Sequence, residues 1–291
     1  MHVALQPPLD INSSLQLFQR SGDDLLDRWD GSRLARAVPV DDHWVPFVAH
    51  ARGSPSEPAF LVESPDPAAV AETVANTFVP PPPEYAVLLH TDPVLRRLDE
   101  KFRGICQIRQ LDLFTALIRC ISAQQVNLRW AVITRRRLAE AFGTPHEVNG
   151  TTVYSLDPHR LAAVDPADIR ALQFTTSKAV SIVAVARAIV DGHANLDELR
   201  QLSDDEVIAR LVSIRGIGRW SAEWVLARTL GRAVVVAGDL GVRKAVGLAY
   251  LGTTHPSEAD VRRATAHWGS AAGTAQALLL HALGEHALPG A

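Results

Sequence analysis

The sequence predicts a multidomain α+β protein, with a small mixed α+β domain over residues 1–84 and an all-α domain over residues 85–291. Short runs rich in valine and aromatic residues, typical of strands, occur in the first part. From Tyr85 onward, apolar residues recur at helical spacing instead. Four consecutive prolines, residues 80–83, separate the two patterns and favour a stiff boundary. With 291 residues, 47% of them apolar, the chain is long enough to bury a sizeable core.

The first part contains three strand-like runs and one clear helix signal. The strand-like runs cover residues 34–40, 44–50 and 60–62, with a hairpin-like turn at residues 54–55. A helix over residues 67–79 is predicted because Asp66 can cap it and Pro67 fits its first turn. Residues 14–18 fit the start of either a helix or a strand.

The second part is predicted to consist of successive helices. Many of them begin at a capping residue or Asp-Pro pair and stop near a glycine. The predicted helices cover residues 93–102, 112–121, 128–142, 176–191, 196–202, 242–250, 257–268 and 272–286, and one more starts at Asp165.

A helical hairpin over residues 211–230 directs the functional interpretation. Ser203 and Glu206 form a capping box for its first helix, and Gly216-Ile217-Gly218 separates that helix from the second. The two glycines leave main-chain N–H groups uncovered at the start of the second helix, where the helix dipole adds positive potential. The motif therefore fits a phosphate-binding site, and it also fits an ordinary corner between helices with Ile217 in the core.

An aspartate follows this hairpin by about twenty residues. The apolar run 233–236 leads into a turn and another helix, with Asp239 near the helix start. Taken alone, Asp239 fits a helix cap. Taken with the hairpin, it fits a carboxylate placed close to a phosphate-binding site.

The hairpin, the glycine-containing segment and Asp239 together resemble the helix-hairpin-helix (HhH-GPD) superfamily of DNA base-excision glycosylases. Residues 117–126, 172–178 and 277–281 match further segments of that family in the right order. Residues 6–10 and Phe18 are similar to the opening of the AlkA-like 3-methyladenine DNA glycosylase II branch. In that branch the extra N-terminal domain resembles half of a TATA-binding protein.

The resemblance implies a catalytic carboxylate and an aromatic base pocket. Breaking an N-glycosidic bond builds positive charge on the sugar, which a carboxylate stabilises, so Asp239 is the catalytic candidate. The base must first be flipped out of the duplex, and indole faces favour a positively charged alkylated base. Trp220, Trp224, Phe18 and Leu283 are the pocket candidates; for Trp224 a place in the core is the alternative, and at Leu283 relatives can have an aromatic residue.

The resemblance also implies two DNA-contacting segments, the hairpin and a Gln-Gln loop. Their candidate residues are Gly216, Ile217, Gly218, Arg219, Gln124, Gln125 and Val126. Gln125 stands where AlkA-like relatives have an apolar wedge that fills the gap left by the flipped base. Carbonyl groups near Ile214 and Gly216 are expected to bind a monovalent cation such as Na⁺ or K⁺. A triplet of arginines, residues 135–137, fits either a local positive surface or a solvated helix face.

The lack of a lysine at position 220 and of clustered cysteines limits the reactions and cofactors to be expected. Family members that also cut the strand have a lysine where this chain has Trp220, and indole cannot form a Schiff base. The iron–sulfur loop of endonuclease-III-like members needs four clustered cysteines, whereas Cys106 and Cys120 are the only cysteines here and are expected to be reduced. No cofactor, iron–sulfur cluster or transition metal is therefore expected.

The sequence thus predicts a monofunctional glycosylase, a hydrolase that removes alkylated bases of the 3-methyladenine and 7-methylguanine type from double-stranded DNA. The alternatives are a glycosylase of the same fold for oxidised, deaminated or mismatched bases, and a non-catalytic DNA-binding protein. A net charge of −3 argues against a uniformly basic surface. No long apolar run indicates a membrane span, and the start of the chain does not resemble a signal peptide. Together with the two cysteines expected to be reduced, this favours the cytoplasm. No sequence feature requires a partner chain, so no obligate protein partner is expected.

Overall fold

A computed structural model describes residues 1–41 and 43–290. The N-terminal part is built on a five-stranded antiparallel sheet in the order β1-β5-β4-β3-β2. Its strands are β1 (His2–Ala4), β2 (Asp27–Trp29), β3 (Arg33–Val40), β4 (His43–Ser54) and β5 (Glu57–Glu63). The three predicted strand-like runs lie in β3, β4 and β5, and the predicted turn at residues 54–55 connects the last two.

Two helices cover one face of this sheet, α1 (Ile11–Ser21) and α2 (Pro67–Ala75). Residues 14–18, which fitted the start of either a helix or a strand, are helical and belong to α1. The predicted helix over 67–79 is shorter than expected because β6 (Phe78–Val79) pairs with β7 (Gln107–Ile108) instead. Burial of Phe78 in the sheet core outweighs continuation of the helix.

The rest of the chain is mainly helical, and most helix starts follow the predicted positions. The helices are α3 (Glu84–Thr91), α4 (Pro93–Lys101), α5 (Leu113–Ala123), α6 (Leu128–Phe142), α7 (Pro158–Ala162), α8 (Pro166–Ala171), α9 (Thr176–Val190), α10 (Leu196–Gln201), α11 (Asp204–Val212), α12 (Arg219–Arg228), α13 (Leu240–Val246), α14 (Glu258–Thr265) and α15 (Ala272–Gly284). A π-helical turn, Gly247–Leu251, follows α13, and a 3₁₀ helix, Ala266–Ala271, follows α14.

Short polar side chains set these starts by accepting hydrogen bonds from the first free N–H groups of a helix. At α11, Ser203 and Glu206 form the predicted capping box. Side-chain caps are also made by Asp10, Asp66, Asp92, Asp112, Asn127, Asp157, Asp165, Thr175, Asn195, Asp239 and Ser257.

A β-hairpin interrupts the second part, which was predicted to be all helical. It consists of β8 (Thr144–Val148) and β9 (Thr151–Ser155). Asn149 and Gly150 connect the strands with φ angles of 46° and 71°, the backbone of a type I′ turn. The hairpin packs on the second face of the sheet, where Val148 meets Ala35 and Val48. The all-α expectation is therefore wrong at these residues, because Asn149 and Gly150 favour a tight turn between two strands.

Three large apolar clusters make up most of the core, besides the small one that Val148 forms with Ala35 and Val48. One lies under the sheet; a second joins α5, α9, α11 and α12; a third joins α4, α13 and α15. Leu25 and Leu26 pack in the second cluster, while Cys106 and Ile108 pack under the sheet. Contacts therefore cross the predicted boundary at residue 84, which itself stays a prediction. Within the described residues, no helix has the length and apolar character needed to cross a membrane.

Candidate active site

A cavity of about 1160 Å³ opens where the three apolar clusters approach one another. It is lined from α1, the loop after α5, α12, the start of α13 and α15. Widely separated candidates from the sequence meet there: Phe18, Gln124, Gln125, Val126, Trp220, Trp224, Asp239 and Leu283. The cavity is large enough to hold a nucleobase with room for its sugar.

Asp239 is half-buried at the cavity wall and caps α13. Its Oδ1 accepts hydrogen bonds from the N–H groups of Gly241 and Val242, at 2.8 and 3.1 Å. Its Oδ2 accepts one from the indole Nε1 of Trp220, at 3.2 Å. The two interpretations of Asp239 are thus compatible, because one oxygen caps the helix while the carboxylate as a whole lines the cavity.

Trp220 and Trp224 lie one turn apart on α12 and line the cavity. Both are half-buried, whereas Ala222, Val225 and Leu226 of the same helix fill the core. The alternative that placed Trp224 in the core is therefore not what the structure shows. Two indoles give the cavity an apolar wall with π-faces.

Phe18 and Leu283 contribute from outside α12. Phe18, on α1, has the guanidinium carbons of Arg36 and Arg119 each 5.6 Å from its ring centroid. These cations hold the ring in place, so it has less free π-face for a base than a bare aromatic side chain. Leu283 is half-buried on α15 and lines the cavity.

The hairpin between α11 and α12 has the backbone that its glycines suggest. Gly216 has φ of 86°, and a Cβ there would overlap the side chain of Ser181. Gly218 precedes α12 without any side-chain cap, and a Cβ there would meet no atom within 4 Å. Ile217 is buried in the core, as in the helix-corner interpretation. The N-terminus of α12 nevertheless has open space for an oxyanion.

The Gln-Gln loop contacts this hairpin. The side-chain Nε2 of Gln124 donates to the carbonyl of Gly216 at 2.9 Å, so Gln124 fixes the loop in place. Gln125 is exposed at the loop tip with φ of 54°, and Val126 is half-buried beside it. Arg219 is exposed on the hairpin, with its Nε 2.8 Å from the buried carboxylate of Glu223.

A buried ion network closes one side of the cavity. Asp24 lies 2.8 Å from both Arg119 and Arg135, and Arg119 also pairs with Asp27. Burial raises the pKa of Asp24, but the charges and hydrogen bonds of Arg119 and Arg135 outweigh it and hold that pKa well below its usual range. Arg135 is therefore part of the interior, and neither interpretation of the arginine triplet holds for it.

Sequence reasoning missed several residues that line the cavity. Leu240, directly after Asp239, is 77% exposed, and Leu128, directly after the capping Asn127, is 55% exposed. A large apolar residue right after a helix cap is a signal that could have identified both. Gln110 and Arg228 also line the cavity, and no motif pointed to them.

The two cysteines are buried and unpaired. Burial raises the pKa of the Cys106 thiol to about 12, and it also raises the pKa of the Cys120 thiol, so both stay protonated at neutral pH. Among residues 1–41 and 43–290, no three His, Cys, Asp or Glu side chains are grouped so that they could hold a metal ion.

Comparison with known proteins places this geometry in a family. Residues 118–270, more than half of the chain, match the HhH-GPD superfamily of base excision DNA repair proteins. A DNA-3-methyladenine glycosylase of Bacillus subtilis (strain 168) is 34% identical over 140 residues, 48% of this chain and 46% of that relative. The chain thus matches about half the length of its relatives in sequence.

Solved structures extend the likeness to nearly the whole chain. The 3-methyladenine DNA-glycosylase from Archaeoglobus fulgidus has a TM-score of 0.84 at 25% identity, covering 97% of this chain and 98% of that one. MBOgg1 in complex with a low-affinity DNA ligand has a TM-score of 0.78 at 20% identity, covering 98% of this chain and 94% of that one, which shows the fold alone. The family expected from the motifs is confirmed: the chain belongs to the HhH-GPD superfamily of base excision DNA repair proteins.

Proposed function

We propose that this protein is a monofunctional DNA glycosylase that hydrolyses the N-glycosidic bond of alkylated bases, of the 3-methyladenine and 7-methylguanine type, and leaves an abasic site. The observation that carries the proposal is the carboxylate of Asp239 in a cavity walled by two indoles, directly beside a glycine hairpin. The 3-methyladenine glycosylases among its relatives and structural neighbours support the choice of substrate.

The chemistry needs a negative charge near the sugar. As the bond between C1′ and the base nitrogen breaks, its electron pair leaves with the base and C1′ becomes positively charged. Asp239 stabilises that charge, and a water molecule then adds to C1′ and transfers a proton to the Asp239 carboxylate, which later releases it to solvent. Three hydrogen-bond donors hold the carboxylate in one orientation, so little reorganisation is needed during the reaction.

DNA would reach this carboxylate through the hairpin and the loop beside it. The open N-terminus of α12, with Arg219, contacts phosphates, and Gln125 fills the gap left by the flipped base. Leu128 and Leu240 add apolar surface at the cavity mouth, where unstacked bases would lie. Membership of the superfamily of base excision DNA repair proteins supports DNA as the partner.

The cavity lining supports a monofunctional reaction. Its described residues include no lysine, and the position next to Asp239 is occupied by the indole of Trp220. Without an amine no Schiff base forms, so borohydride should trap no protein–DNA adduct. A trapped adduct would show that the enzyme also acts as a lyase.

We also propose a monovalent cation site at the hairpin and a fold assignment for residues 1–84. Main-chain carbonyls near Ile214 and Gly216 would bind a monovalent cation, and the carbonyl of Gly216 keeps one lone pair because Gln124 uses the other. Residues 1–84 would form the domain that resembles half of a TATA-binding protein. A five-stranded antiparallel sheet with two helices on one face supports that assignment.

Release of methylated bases from alkylated duplex DNA under single-turnover conditions tests the proposal. We expect Asp239→Asn to lower the rate roughly a thousandfold, because a unit charge at about 4 Å contributes roughly 4 kcal/mol at an effective dielectric constant of 20. Asparagine still caps a helix, so the fold should persist.

Asp66→Asn is the matched control, because Asp66 also caps a helix but lies outside the cavity. It should release base at the native rate. If the native protein binds the duplex but releases neither 3-methyladenine nor 7-methylguanine, the proposed substrate is wrong. A glycosylase for other lesions or a non-catalytic binding protein then takes its place.

A further inference from the structure

Arg228 stands on the cavity wall one turn beyond Trp224. The two residues are four apart on α12, so they share a face of the helix. The guanidinium carbon lies 6.0 Å from the ring centroid of Trp224, and both side chains line the cavity. The cation therefore lies over one face of Trp224, and a base in the cavity beside this indole would have the cation close to it.

The charge of Arg228 has no ionic partner within residues 1–41 and 43–290. Burial lowers the pKa of its guanidinium, and the charge of Asp239 acts in the opposite direction. Arg119 and Arg135, by contrast, pair directly with the buried Asp24. An arginine keeps its charge in proteins, so a ligand that brings acceptor atoms to this point would relieve the cost of burial.

Two glutamines extend this polar end of the cavity. Gln110 is 6% exposed and its backbone N–H donates to the carbonyl of Arg228 at 2.8 Å. Gln107 donates to the carbonyl of Ala227 and leaves its Oε1 without a partner. Both glutamines line the cavity. This end is therefore suited to the edge of a base, whereas the indoles suit its faces.

We propose that Arg228 is a specificity-determining residue that favours neutral bases with a carbonyl oxygen at their edge and disfavours bases with a formal positive charge. Arginine donates two parallel hydrogen bonds to O6 and N7 of a 6-oxopurine, a geometry that neither an adenine edge nor an N7-methylated guanine provides. The inference rests on the proposed function in one respect, that the flipped base occupies this cavity. The indole faces attract a cationic base while Arg228 repels it, so Arg228 sets the balance between the two kinds of base.

Binding to uncleavable DNA tests the inference without requiring catalysis. The probes are two duplexes with a 2′-fluoro nucleotide, one carrying hypoxanthine and the other 7-methylguanine. Their affinities for the full chain are measured by fluorescence anisotropy. We expect Arg228→Met to weaken hypoxanthine binding relative to 7-methylguanine binding by about tenfold or more, the range of one bidentate pair.

Three further variants keep the result decisive. Arg228→Lys retains the charge, so it should retain most of the discrimination against 7-methylguanine. Arg228→Gln removes the charge with a polar side chain and replaces the methionine variant if that one fails to fold. Arg129→Met removes an exposed cation at the cavity mouth. It should lower the affinity for both duplexes equally, because a contact to a phosphate does not distinguish between bases.

Base release from the matching deoxynucleotide duplexes separates the inference from the proposed function. If the folded Arg228→Met protein has the native affinity ratio, the inference fails, whether or not the native protein releases base. If the ratio shifts but the native protein releases no base, the proposed function fails and the assignment of Arg228 stands.

Discussion

The side chain of Asp239 caps a helix and lines the cavity at the same time. At the scale of single residues, the local motif predicted the cap, and the family resemblance predicted the catalytic carboxylate. These interpretations do not compete, because Oδ1 bonds the helix start while Oδ2 meets Trp220. A cap therefore fixes the position of the group on which the proposed chemistry depends.

Gly216 is the residue whose backbone the hairpin needs most. Its φ of 86° disfavours any side chain, and a Cβ would overlap Ser181. We expect Gly216→Ala to lower the free energy of unfolding in urea by about 1–3 kcal/mol and to weaken DNA binding.

Gly218→Ala serves as the control, since Gly218 lies in the same loop with φ of −101° and open space around it. It should change the free energy of unfolding by less than about 0.5 kcal/mol. Equal losses in both variants would mean that the two glycines matter for another reason.

At the scale of elements, helix starts follow local chemistry closely. The predicted helix over 128–142 has the bounds of α6, and α11 begins at the predicted capping box. Ends are less regular after α13 and α14, where a π-helical turn and a 3₁₀ helix continue the chain. Local side chains decide a start, whereas packing of the surrounding helices decides how the last turn is wound.

Ser203→Ala tests the contribution of the capping box to stability. Loss of the Ser203 side chain leaves an N–H group of α11 without its partner, so we expect a loss of about 1 kcal/mol in the free energy of unfolding. The rate of base release should stay native, because Ser203 does not line the cavity. Ser177→Ala, at an exposed position early in α9, should be neutral in urea unfolding.

At the scale of the whole molecule, the ion network around Asp24 joins distant parts of the chain. Asp24 and Asp27 come from the N-terminal part, and Arg119 and Arg135 come from α5 and α6. Because each charge is buried, removing one leaves the others uncompensated. The network thus keeps the N-terminal part in a fixed position beside the cavity.

Because the pKa of Asp24 is depressed, the stabilisation of the fold by this ion network depends on pH. Its pKa in the folded protein lies below its value in the unfolded chain, about 3.9, so the stabilisation is complete above that value. It is lost as pH falls toward the folded pKa, because the unfolded chain then binds the proton more readily. The free energy of unfolding of the native protein in urea should therefore fall below about pH 4.

Asp24→Asn should remove this acid dependence and cost about 3–5 kcal/mol at pH 7. The measurement is urea unfolding of both proteins between pH 7 and pH 3. An unchanged acid slope in the variant would show that other carboxylates control stability at low pH.

The sequence by itself determined the helix starts, the glycine hairpin, the helix cap made by Asp239 and the family, because each depends on interactions between residues close in the chain or on a motif of fixed spacing. It did not reveal the pairing of β6 with β7, the burial of Arg135 against Asp24 or the placement of Arg228 beside Gln110 at the cavity wall. Those features join residues far apart in sequence. Only the packing of the helices against the sheet decides which charges meet and which are left free.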